Sequence, residues 1–241
     1  MADNGQLEVS VWRGDSGSGR FESFRVPAED NQTVLDVVSW IQQNLAGDLA
    51  YRFACRVGMC GSCAMTVNGT PRWTCRTHVK KVARNNRLTI APLANLPVIR
   101  DLATDMDPFF ARWIGAGGRF VPQRTRDDPV APVRPDSPGR QAADAGIECI
   151  NCGVCHAACD TVAASPDYLG PAPLQRAWTL VNDERHGARG AVLAAVSGAG
   201  GCHNCHSMGN CTAHCPKELD PLRAIAGLKR ATFLGAFGKE I

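Results

Sequence analysis

Cysteines at two sets of intervals carry the chemistry available to this chain. Eleven of its twelve cysteines fall into Cys55-x4-Cys60-x2-Cys63 followed by Cys75, and Cys149-x2-Cys152-x2-Cys155-x3-Cys159 followed by Cys205, Cys211 and Cys215-Pro216. Such intervals suit thiolates that hold iron-sulfur clusters, whose work is electron transfer. In the first set, three thiolates on one loop and a fourth further along point to a 2Fe-2S cluster. Gly58 and Gly61 lie between these ligands, where a loop wrapped round bridging sulfides needs positive φ and inward-facing N–H groups. Arg56 and Ser62 are candidate further donors.

In a run of the second kind, the fourth cysteine ligates the other cluster of a pair. Cys149, Cys152 and Cys155 are therefore joined by Cys215 on a 4Fe-4S cluster, while Cys159 leaves to join Cys205 and Cys211. Counting on from Cys205, a full triplet would place a cysteine where the sequence has Met208, a poor ligand for such iron. Three thiolates and a blank corner point to a 3Fe-4S cluster, with a potential raised by the missing iron. Cys202-x2-Cys205 is itself a ligand-like interval. It leaves open an alternative in which Cys202 completes a second 4Fe-4S site, against the favoured reading of a non-ligating thiol beside the cluster.

Disulfides and zinc are the competing uses for so many cysteines. No basic, apolar-cored leader precedes Leu7, so an oxidising compartment is not expected. The Cys-x2-Cys pairs beside His156, His203 and His206 would suit zinc. Zinc does not explain the x4-then-x2 interval with interleaved glycines, or the three-residue gap that ends at a lone cysteine.

These ligands must be positioned by modest cores. The chain has 241 residues, 20% of them charged, with 24 glycines, 15 prolines and only 6% aromatics, a composition in which clusters help to staple small domains. A net charge of +3 argues against a nucleic-acid partner, and Arg76-Thr77-His78-Val79-Lys80-Lys81 reads as a solvated face. No run of eighteen apolar residues is present to span a membrane. Leu7 to Arg13 and Phe21 to Val26 alternate as strands of a hairpin, and Thr33 to Leu45 has helical periodicity with Thr33 or Gln32 at its cap. Ala64 to Val67, the turn Asn68-Gly69 and Arg72 to Cys75 form a second hairpin that returns the fourth ligand, and Arg87 to Ala91 closes the sheet. Pro122 to Asp144 is a Pro-, Arg- and Asp-rich boundary. Beyond it, helices are expected over Pro173 to Val181, Ala188 to Val196 and from Asp220, where Asp220-Pro221 is a start signal. The expected fold class is α+β. Residues 1–105 form a β-grasp 2Fe-2S ferredoxin domain, 106–145 a connecting segment, and 146–241 an all-helical domain like a bacterial ferredoxin.

The chain resembles the iron-sulfur subunits of succinate dehydrogenases and fumarate reductases, more closely the fumarate reductase type. Besides the cysteines, the likeness is carried by Cys55-Arg56-Val57-Gly58-Met59-Cys60-Gly61-Ser62-Cys63, Leu96-Pro97-Val98-Ile99-Arg100-Asp101-Leu102, Cys149-Ile150-Asn151-Cys152-Gly153-Val154-Cys155 and Pro166-Asp167-Tyr168-Leu169-Gly170-Pro171. The resemblance implies a flavoprotein partner that interconverts succinate and fumarate on FAD. It further implies membrane-anchor partners, with or without haem b, that hold a quinone, and a relay of electrons through the 2Fe-2S, 4Fe-4S and 3Fe-4S clusters of this chain. His206, directly after a third-site ligand, matches the family's position near quinone or haem. The implied placement is peripheral, on the cytoplasmic face of an inner membrane.

No dinucleotide fingerprint, Walker loop or activated nucleophile appears in this chain, so the substrate chemistry falls to a partner and the redox chemistry to cofactors. One segment departs from the family. Many succinate dehydrogenases follow the last cysteine of the run with proline and tryptophans near the quinone, whereas here Cys159 is followed by Asp160-Thr161-Val162-Ala163-Ala164-Ser165. That departure, with Cys202, keeps a second function in view, an iron-sulfur subunit of a soluble flavoprotein acting on another substrate or using a non-quinone partner.

Overall fold

Alternating apolar side chains bury one face of an N-terminal sheet. The computed structural model describes residues 5–236. In it β1 (Gln6–Gly14) and β2 (Gly19–Pro27) form the first antiparallel hairpin. Helix α1 (Val34–Asn44) follows, capped by Thr33, whose side chain accepts from Asp36 N–H while the Asp36 carboxylate accepts from Thr33 N–H. This reciprocal pair is a capping box and fixes where the helix begins. Strands β3 (Ala64–Val67) and β4 (Thr70–Trp73) turn through Asn68 and Gly69, both at positive φ, as a two-residue hairpin of this type requires. The short helix α2 (Val79–Val82) and strand β5 (Arg87–Ala91) come next. The sheet order is β2-β1-β5-β3-β4, with β1 and β5 parallel. Val9, Val11, Val26, Leu88 and Ile90 from the sheet are buried with Val34, Val37, Val38 and Ile41 of α1.

A two-stranded ribbon, β6 (Val98–Arg100) and β7 (Ala103–Thr104), carries the buried Asp101. Its carboxylate accepts from Gly14 N–H, Ala50 N–H and Arg13 Nε. Three donors offset the cost of burying that charge and tie the ribbon to the end of β1.

The helical part comprises α3 (Asp107–Gly115), α4 (Pro138–Ile147), α6 (Asp160–Ala164), α7 (Pro171–Asn182), α8 (Arg189–Ser197), α9 (Asn210–Ala213) and α10 (Pro221–Ala236), with α5 (Val154–Ala157) falling between α4 and α6 in sequence. Helix α7 is its hub and packs against α3, α4, α8 and α10. A Cβ on Gly227 of α10 would lie 2.5 Å from the Trp178 ring of α7, so the two helices approach as closely as they do only because position 227 lacks a side chain. Asp220 caps α10, accepting from Arg223 N–H and from the Thr212 hydroxyl.

The stretch expected to be a connection contains two helices, α3 and α4. Ser137 caps α4 and Pro138 stands at its first turn, a start signal masked by the low hydrophobicity of Pro138–Ile147. Helix α4 is nevertheless held, because Arg140 and Ala143 are buried and Arg140 reaches Asp144, Asp183 and Glu184.

The chain forms two compact units that interleave along the sequence. One contains residues up to Met106 together with Ile150–Ala158, and the other contains Asp107–Cys149 and the residues from Cys159 onward.

Candidate iron-sulfur sites

None of the twelve cysteines is joined in a disulfide. In the first unit the loop that follows α1 brings Cys55, Cys60, Cys63 and Cys75 into one electrostatic environment. Met59 N–H and Cys60 N–H donate to Cys55 Sγ at 3.2 and 3.3 Å, and Cys55 N–H reaches Cys60 Sγ at 3.5 Å. Gly58 and Gly61 have φ of +76° and +74°, the left-handed values that aim such amides inward. Burial pushes the Cys60 thiol up, but the Ser62 side chain and the Cys55 and Ser62 amides outweigh it and hold the group down at about 6. Cys75 is pushed up to about 12, by burial first and then by Cys63.

A pocket in which the Cys60 thiolate is favoured while Cys75 resists ionisation suits a cationic iron pair, which would neutralise the crowded charges. The donors are therefore amides and Ser62. Arg56, also considered as a donor, lays its guanidinium 4.6 Å over the Phe53 ring and turns toward Asp36.

The next ligand loop belongs to the same unit. Cys152 precedes α5 and Cys155 lies on it. Asn95 Nδ2 donates to the carbonyls of His156 and Ala157, and Gly153, at φ +76°, packs toward Leu93 and Leu96. The motif around Leu96 thus forms the seat of this loop. A Cβ on Gly61 would lie 2.8 Å from Cys152 Cβ and 3.0 Å from the Ile150 carbonyl oxygen. The first and second cysteine loops therefore touch, backbone to side chain, through a glycine. Cys149, at the end of α4, and Cys215, after α9, are placed in the helical unit.

In the helical unit Cys159, Cys205 and Cys211 line one cavity with Met208, Tyr168 and Asp160. Cys159 precedes α6, Cys205 ends a 3-10 turn at 202–204, and Cys211 lies on α9. Ser207 and Gly209 take positive φ, which curls the 205–211 loop so that Ser207 N–H points at Cys205 Sγ, 3.4 Å away. Lys229 Nζ donates to the Cys205 carbonyl at 2.7 Å. Burial pushes Cys211 up to about 11, and Cys159 and Cys205 add to the shift, so these three sulfurs also share one field. Met208 is exposed at the mouth of the cavity. Asp160 accepts from Asn210 Nδ2 at 3.2 Å.

Cys202 is turned away from this cavity. It is fully buried in the apolar cluster with Leu228 and Val196, and its Sγ lies 3.8 Å from the Thr232 hydroxyl. His206 is exposed. Sequence spacing did not single out Tyr168 as part of the site, because it lies thirty-seven or more positions from two of the cysteines it accompanies; the Pro166-Asp167-Tyr168 motif was its one signal.

Among the described residues no three His, Cys, Asp or Glu side chains are gathered closely enough to share a single metal ion. A cluster interposes its own irons and sulfides and needs ligands set further apart. No helix among the described residues is long and apolar enough to cross a membrane.

Two family models match this chain, along with curated relatives and a solved structure. A family described as 2Fe-2S iron-sulfur cluster binding domain matches residues 6–111, and one described as 4Fe-4S dicluster domain matches residues 148–220. The fumarate reductase iron-sulfur subunit of Mycobacterium tuberculosis is 36% identical over 239 residues, covering 95% of this chain and 93% of that one. The succinate dehydrogenase iron-sulfur subunit of Paracoccus denitrificans is 31% identical, covering 93% and 86%. A chain of the Mycobacterium smegmatis Sdh1 complex in the apo form superposes with a TM-score of 0.85 at 25% identity, covering 99% of both chains.

Proposed function

Because this chain belongs to the family of fumarate reductase and succinate dehydrogenase iron-sulfur subunits, we propose that it relays electrons between the FAD of a flavoprotein subunit and a quinone at membrane-anchor subunits. The bound clusters supply the one-electron steps. The chain's own residues hold them, exclude solvent and set their potentials. Its ligand sets are Cys55, Cys60, Cys63 and Cys75 for 2Fe-2S, Cys149, Cys152, Cys155 and Cys215 for 4Fe-4S, and Cys159, Cys205 and Cys211 for 3Fe-4S. His206, exposed beside Cys205, is the candidate donor toward quinone. Residues 1–105 serve as the 2Fe-2S domain, 106–145 as the connection and 146–241 as the helical cluster domain, and the complex lies on the cytoplasmic face of an inner membrane.

The observation that best supports a relay is the contact of Gly61 with Cys152. A glycine whose missing side chain lets two ligand loops touch serves short-range transfer from one cluster to the next. The test is purification from the native host through a tag on this chain. The proposal expects a flavoprotein and hydrophobic anchor chains to accompany it, and succinate to reduce its clusters and then added quinone. A flavoprotein without anchor chains, and clusters that no quinone oxidises, would move the assignment to a soluble reductase with another acceptor.

A further inference from the structure

The third cavity contains a polar group that the ligand set does not use. Tyr168 is fully buried, 0% exposed, and lines the cavity with Cys159, Cys205 and Cys211. Among the described residues its hydroxyl has no hydrogen-bond partner. Burying a hydroxyl in that state costs about 1–3 kcal/mol, whereas phenylalanine would fill the same volume without the cost.

The backbone fixes where the ring points. Tyr168 N–H donates to the Ser165 carbonyl at 3.1 Å and Leu169 N–H to the Gly200 carbonyl at 2.8 Å. A Cβ on Gly200 would fall 2.0 Å from the Asp167 carbonyl oxygen, so this segment is clamped on a glycine that tolerates no side chain. The ring packs in the apolar cluster with Leu174, Ile225 and Leu228. The buried hydroxyl belongs to the side chain that lines one cavity with Cys159, Cys205 and Cys211. The Cys205 sulfur receives a long contact from Ser207 N–H, and Lys229 is engaged on the Cys205 carbonyl.

We infer that Tyr168 sets the potential of the third cluster by donating its hydroxyl hydrogen to a sulfur of that site, stabilising the extra negative charge that the site takes up on reduction. Hydrogen bonds to cluster sulfurs are one of the few levers by which a protein moves such a potential. The inference rests on Cys159, Cys205 and Cys211 being the ligands of that cluster.

The experiment is a redox titration of the intact complex, followed by the oxidised-state EPR signal of the third cluster. Wild type is compared with Tyr168→Phe and with 3-fluorotyrosine placed at residue 168, a stronger donor of nearly the same size. The phenylalanine variant is expected to lower the midpoint potential, by an equilibrium constant for reduction falling about tenfold, or 59 mV for one electron. The fluorinated residue is expected to raise it, and the other two clusters to stay where they are. Opposite shifts are not what a purely structural role produces.

A third-cluster signal that persists with its potential unmoved in both proteins, or moved the same way in both, overturns the inference and leaves the ligand assignment standing. Absence of any 3Fe-4S signal from the wild type overturns the ligand assignment, and the inference with it. If the phenylalanine variant does not assemble, the fluorinated protein decides alone, and an unchanged potential counts against the inference.

Discussion

The first and third cysteine sites solve one problem by different means. At the first, all four ligands lie between Cys55 and Cys75, and backbone amides of the same loop, held at positive φ, supply the donors to sulfur. At the third, Cys159 is separated from Cys205 by the whole of α7 and α8, and beside the Ser207 N–H that reaches Cys205 the cavity is lined by a buried side-chain hydroxyl, that of Tyr168, brought in from another part of the fold. A local loop carries its own electrostatics wherever it is placed. A site assembled from distant segments takes its electrostatics from the packing that assembles it, so the third centre is the one that distant substitutions can tune.

The sharpest way to break the first half of this comparison is Gly61→Val. Its side chain would meet Cys152 and the Ile150 carbonyl at a residue held at φ +74°. Strain and overpacking together cost about 2–5 kcal/mol. We expect loss of the reduced 2Fe-2S EPR signal and a lower thermal midpoint for the complex.

Met208→Cys probes the third site next. A thiol at the mouth of the cavity should convert 3Fe-4S to 4Fe-4S, abolish the oxidised-state signal and lower the potential, with little change in unfolding temperature. An unchanged signal would show that residue 208 is not the open corner.

A smaller effect separates packing from ligation in the helical unit. The Asp183 carboxylate is held far below the ordinary carboxylate range by the Arg185 guanidinium and amide against an opposing burial cost, with Arg140 assisting. A depressed carboxylate contributes stability that is present above its unfolded value, near pH 4, and is lost as pH falls through the folded one. Asp183→Asn should remove about 2 kcal/mol at pH 7 and flatten the fall in stability below pH 4, read as thermal midpoint against pH.

The smallest change is expected from Cys202→Ser. A hydroxyl in place of the buried thiol, with Thr232 as partner, should cost about 1 kcal/mol and leave all three clusters in place by iron and sulfide analysis. Loss of a cluster would make Cys202 a ligand.

What the sequence disclosed follows the same division. Around the first site the hairpin turn at Asn68-Gly69 and the need for glycine at 58 and 61 were legible, because candidate ligands, glycines and turn are close neighbours in the chain. The capped helix at Thr33 and the strands of the sheet were equally plain from their period. In the helical unit the cysteine intervals gave the candidate ligands, and Asp220-Pro221 gave the start of α10. Helix α4 was hidden, because its stability comes from Arg140 reaching acidic residues on either side of it rather than from an apolar stripe. Intervals alone left Cys202 ambiguous, and only the fold turns it into the core toward Thr232. Tyr168 was legible as part of a motif but not as lining a cavity with Cys159, Cys205 and Cys211, since that cavity exists only after α7, α10 and the Gly200 turn have packed.

The central claim is that this chain carries three different clusters in series, the last of them with an open corner. Low-temperature EPR of the anaerobically purified complex, as isolated and after reduction, with iron and sulfide analysis, tests it most directly. The account predicts an oxidised-state 3Fe-4S signal together with a reduced 2Fe-2S signal. Two reduced 4Fe-4S signals and no 3Fe-4S signal would contradict it.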